Sequence, residues 1–176
     1  MRVYLPATLA GVQRLVDDGR WMPLGGTGFA LTPGLREAYT AGDDEELSEV
    51  ALREAARASL RLLAADGLES TPSAVVDGGQ ALPVRRVVVV AEVPEATPRP
   101  DLDDAVVKVS GPVAMDQVVA VHVDGAEAEP AVRTAAACVD AADLGDEDAE
   151  LALGDAEDHD LGWYATQELP FLLELL

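Results

Sequence analysis

Hydrophobic residues along this 176-residue chain recur in two rhythms. Short runs rich in β-branched residues predict strands, and spacings of three and four predict helices. Residues 1–5, MRVYL, read as a first strand ending at Pro6. Thr8 is placed to cap a helix LAGVQRLVDDG, with Leu9, Val12, Leu15 and Val16 on its apolar face and Gly19 closing it. GFALT reads as a short strand. Thr32 and Pro33 then stand as N-cap and first position of another helix, with Leu35 and Tyr39 facing inward.

Residues 43–66 carry the strongest helical signal. Acids fill the first turn, where the helix dipole favours them, and Leu47, Val50, Ala51, Ala55, Ala58 and Leu62 make one face. Residues 67–83 are rich in Gly, Pro and Ser and predict a flexible loop. RRVVVVAEV is apolar on both faces, so it predicts a strand covered on both sides. AVVKVS and VVAVHVD predict two more, with a helical turn, GPVAMDQ, between them. Pro130 opens an alanine-rich helix that ends at Gly145. Residues 149–153 and 160–164 read as two strands joined by an acidic turn, and Thr166 as the cap of a final helix, QELPFLLELL. This order of elements predicts an α+β or α/β fold, a mixed β-sheet covered by helices, in one globular domain over residues 1–176.

Charge changes the picture most. Thirty-three acids against 12 bases leave a formal net charge of −21. Such a chain repels a phosphate backbone and an anionic membrane surface, so direct nucleic-acid binding and membrane association are not expected. A basic protein partner suits it. The lone cysteine, Cys138, cannot form an internal disulfide and reads as a buried structural thiol among alanines. No leader or long apolar run is visible, which points to the cytoplasm.

Candidate chemistry is sparse. GGTGFALTPG lacks the Gly-Lys-Ser/Thr of a phosphate loop, and Leu31 occupies the place of the third glycine in a dinucleotide fingerprint. None of the five serines sits in a G-x-S-x-G elbow. His122 alternates within an apolar run and reads as a strand histidine with a satisfied hydrogen bond. Arg53, Arg57 and Arg61 form a basic row, either a solvated face paired with neighbouring acids or a local anion site near the glycine-rich segment.

The densest chemistry lies near the C-terminus, with ten acids between Asp140 and Asp160. The candidate binding residues are Asp155, Asp158, His159, Asp160, Trp163, Tyr164 and Glu168. An EF-hand fails here: counting from Asp155, position six is Asp160 rather than Gly, and position twelve is Thr166 rather than Glu. Zinc lacks its usual His and Cys ligands, so neither a metal nor a cofactor is expected. Trp163 and Tyr164 beside an acidic rim have the composition of a protein-binding hot spot. Alternatively Trp163, Phe171, Leu172 and Leu175 close the core.

The stretches MRVYLPATLA, GTGFALTPGLREAY, RPDLDDAVVKVSGPVAMDQVVAVHVD and LGDEDAELALGDAEDHDLGWYATQELPFLLELL resemble an uncharacterised family of small actinobacterial proteins, a domain of unknown function. The resemblance spans all but residues 67–83 and implies a bacterial cytoplasmic setting, with no activity to carry over. The leading reading is a non-enzymatic acidic module that binds a basic protein surface, nucleic-acid mimicry being one form of it. The alternative is a metal-assisted hydrolase or phosphotransferase using Asp155, Asp158, His159 and Asp160. A third is a small-molecule sensor near Arg53 and Arg57.

Overall fold

The computed structural model of the chain describes residues 1–66, 75–76 and 80–176. The chain runs β1 (Arg2–Ala7), α1 (Leu9–Asp18), β2 (Arg20–Trp21), β3 (Thr27–Phe29), α2 (Pro33–Ala38) and α3 (Asp44–Ala65). Then come β4 (Val75–Val76), β5 (Gln80–Ala81), β6 (Val87–Glu92), β7 (Ala96–Pro98), β8 (Val106–Val109), β9 (Val113–Ala114) and β10 (Val118–Val123). The last elements are α4 (Glu129–Asp143), α5 (Glu147–Glu157), β11 (Gly162–Ala165) and α6 (Leu169–Glu174). The expected loop over 67–83 falls mostly outside the described residues, apart from the small hairpin β4–β5.

The α+β reading holds. Seven strands form one sheet in the order β11-β10-β6-β1-β3-β8-β7. The pairings differ from a mixed sheet in one respect: every one is antiparallel. β6 lies inside the sheet, between β1 and β10, as its run of four valines requires. The Thr8 hydroxyl accepts from the Gly11 amide, and Gly19 ends α1 at φ 73°. Thr32 caps α2 with Pro33 behind it, and Asp43 and Glu46 form a reciprocal capping box on α3.

Both faces of the sheet are covered. On one face Tyr4, Phe29, Val88, Val90 and Val106 pack against Leu47, Ala51 and Ala55 of α3. On the other, Val3, Leu5, Val87, Val89, Val107 and Val121 meet Leu9, Val12 and Leu15 of α1 and Leu169 and Leu172 of α6. A third cluster joins Leu60 and Leu63 of α3 to Val132 and Val139 of α4 and Leu153 of α5, with half-buried Cys138 packed against it. Among the described residues no helix is long and apolar enough to cross a membrane.

Several expectations shift. β1 runs through Pro6 to Ala7; at that end β1 is paired with β6 alone, so a residue without an amide hydrogen fits. Tyr39 is exposed because α2 stops at Ala38 and the backbone turns extended. The buried face of α3 swings from Leu47, Ala51 and Ala55 to Ser59, Leu60 and Leu63, leaving Val50, Ala58 and Leu62 half-buried. Residues 149–153 are helical, not a strand. Asp146 caps α5 by accepting from the Ala149 amide at 2.8 Å, and Ala149, Leu153 and Ala156 bury one stripe. Thr166 does not cap the last helix; its hydroxyl donates to the Val118 carbonyl at 3.1 Å.

Candidate functional site

Antiparallel pairing sets Val88, His122 and Trp163 in one row across β6, β10 and β11. Directly opposed residues share a face, so all three lie on the side that α3 covers. Cover fades along the row. Val88 is sealed under α3, His122 is half-buried, and Trp163 is 61% exposed. Among the described residues β11 is the sheet's terminal strand, with β10 as its one partner.

Where cover fades, a cleft of about 740 Å³ opens. Arg53, Glu54 and Arg57 of α3 form one wall, Arg86 just before β6 and His122 of β10 contribute from the sheet side, and Glu157, His159 and Asp160 close it from the end of α5. Both histidines of the chain therefore line it. The His122 backbone is paired within the sheet, but no hydrogen bond joins its imidazole to a described residue, contrary to the satisfied strand histidine expected. Burial pushes its imidazole below the ordinary 6.5.

Arg86 precedes β6 and Asp124 follows β10, and the register Val87↔Val123 brings the two together. Asp124 is fully buried and Arg86 is 3% exposed. Asp124 Oδ2 accepts from Arg86 Nε at 2.9 Å and from its amide at 2.8 Å, while Oδ1 accepts from Nη2 at 2.8 Å. Nη2 also donates to the His159 carbonyl at 2.8 Å, which anchors the loop between α5 and β11. A buried charge needs such a set of partners.

The arginine row behaves as a paired face. Arg57 reaches Glu150 at 2.9 Å and Asp143 at 3.6 Å, Arg61 grips Asp143 with two bonds of 2.9 Å, and Arg53 lies 3.6 Å from Glu49. The bridges of Arg57 and Arg61 tie α3 to α4 and α5, while that of Arg53 stays within α3. The Arg61 guanidinium holds the Asp143 carboxyl below its usual range, with Arg57 assisting. Glu54 moves the other way: burial raises it first, then the charges of Asp103 and Glu157, against the pull of Arg57 and Arg61.

The candidate residues are dispersed. His159 and Asp160 line the cleft; Asp155 and Asp158 are exposed at the end of α5. Tyr164 packs half-buried on the opposite face of the sheet. Glu168 is spent locally, accepting from the Ala165 amide at 2.8 Å. Of the residues offered as core closure, Leu172 is buried, while Phe171 is 67% and Leu175 85% exposed. Among the described residues no three His, Cys, Asp or Glu side chains converge to hold an ion. The glycine-rich segment does not line the cleft. Sequence reasoning missed Glu54, Glu157, Arg86 and Asp124. The last two were signalled by opposite charges at matching ends of two apolar runs.

The chain belongs to the family of unknown function DUF6912, which matches residues 1–173. No curated protein and no solved structure matches it.

Proposed function

We propose that this protein is a non-enzymatic interaction module that binds a basic protein surface through its C-terminal end. One observation carries the reading: Trp163 stands 61% exposed on the sheet's edge strand, directly after the acidic end of α5. A rigid aromatic ring at the centre of a polar rim is what anchors most protein interfaces. The exposed carboxylates of Glu147, Asp148, Asp155 and Asp158 are engaged in no ion pair with a described residue, so a basic partner meets charge that the fold has not already used. Electrostatic attraction of this kind sets association rate and partner choice more than final affinity.

The test compares wild-type protein, Trp163→Ala and the triple variant Asp155→Asn, Asp158→Asn, Asp160→Asn as immobilised baits at rising salt. A basic protein held by wild type at low salt, released as salt screens the rim, and lost from both variants is the expected result. Equal recovery by all three baits, or recovery of no basic protein, overturns the reading.

A further inference from the structure

The cleft beside Trp163 has an unbalanced set of charges. Each of its arginines already has an acid of its own: Arg53 has Glu49, Arg57 has Glu150 and Asp143, and Arg86 has Asp124. Glu54, Glu157 and Asp160 also line it, and no ion pair neutralises any of the three among the described residues. A free anion entering here would meet surplus negative charge. A cation would meet its complement. The Glu54 carboxyl is raised, by burial first and then by Asp103 and Glu157, even against the pull of Arg57 and Arg61, so a further cation beside it would be favoured.

A second feature points to a hydrogen-bond acceptor on the same occupant. Arg86 is 3% exposed and lines the cleft, with Nε and Nη2 engaged. Its Nη1 donates to no described residue. Nor is that nitrogen sealed from solvent: among the described residues the sealed, unpartnered side-chain atom is Arg85 Nε. Nη1 is thus the donor that this buried guanidinium keeps for what enters. A cation next to an acceptor is the pattern of a basic residue within a peptide, its side chain charged and its main-chain carbonyl beside it.

We infer that this cleft receives one arginine or lysine of the partner, its charge held by Glu54 and Glu157 and its adjacent carbonyl by Arg86 Nη1. The inference rests on the interaction reading above and names the group the partner must present. Trp163, in register with His122, stands where the flanking residue of that peptide would lie.

The chain has two histidines, both in the cleft, so their ring protons report on it directly. Proton NMR of the whole protein is followed while N-acetylarginine N-methylamide is added, with the citrulline analogue, methylguanidinium and inorganic phosphate in parallel. Saturable shifts of both histidine signals by the arginine probe are expected, with the uncharged citrulline probe and the Glu54→Gln/Glu157→Gln variant weaker by about tenfold or more. Histidine signals that respond no more than to matched sodium chloride, or that saturate with phosphate instead, overturn the inference. Methylguanidinium binding as tightly as the amide overturns the role given to Arg86. Bait recovery that needs Trp163 yet survives Glu54→Gln/Glu157→Gln overturns the cleft assignment and leaves the interaction reading standing.

Discussion

Arg86 and Asp124 form a two-pronged ion pair inside the protein, with contacts of 2.8 and 2.9 Å. It joins the start of β6 to the end of β10, and through the His159 carbonyl it fixes one wall of the cleft. Removing one member leaves the other charge buried and alone. Asp124→Ala should destabilise the fold by about 3–5 kcal/mol, read as a lower urea midpoint. Replacing both with apolar residues of similar volume should cost markedly less.

Ser59 makes a second buried bridge. Its hydroxyl donates to the Ala7 carbonyl at 2.7 Å and accepts from the Val87 amide at 3.0 Å, tying α3 to the paired ends of β1 and β6. Ser59→Ala leaves both main-chain groups without this partner. A loss of about 1–3 kcal/mol is expected in denaturant unfolding.

Trp163 gives the opposite profile. So exposed a ring contributes little to the core, so Trp163→Ala should change stability by no more than about 0.5 kcal/mol. The same substitution should abolish capture of the basic partner. A large drop in melting temperature would instead make Trp163 a core residue.

Glu54 should make stability depend on pH in the mildly acidic range. Its folded carboxyl lies above the ordinary 4.5, so the native state keeps this proton after the unfolded chain has lost it. Stability from this group is therefore greatest below 4.5 and falls as pH rises through the folded value. Glu54→Gln should flatten that fall, in urea titrations repeated across the window. Burial drives the effect first, Asp103 and Glu157 add to it, and Arg57 and Arg61 oppose it.

His122 acts with the opposite slope. Burial holds its imidazole below 6.5, so the unfolded chain takes up the proton first as pH falls. Its contribution is complete above 6.5 and declines below it. His122→Gln should remove that decline, and the His122 ring signal should titrate below 6.5 in NMR.

Much of the fold was legible because short-range signals carried it. Thr8, Thr32 and Asp43 announce helix starts through their own side chains, and Gly19 an end through its backbone. The valine run of β6 announces a strand covered on both faces. The end of the chain was harder to read. In α5 the alternation of Ala149 to Leu153 imitates a strand, while the stripe Ala149, Leu153, Ala156 reveals a helix only over a longer window. Thr166 has the chemistry of a cap, but a carbonyl 48 residues away engages it.

By itself the sequence determined the surplus of carboxylates, most of the longer strands and helices up to Gly145, and the absence of the phosphate-loop and EF-hand patterns. Those properties depend on residue type and near-neighbour spacing. Only the tertiary structure decided that Trp163 lies beyond the reach of α3, that Arg86 meets Asp124, and that both histidines share a cleft with Glu54. Each of these joins residues far apart along the chain, and it is the register of β6, β10 and β11, together with where α3 ends its cover, that brings them together.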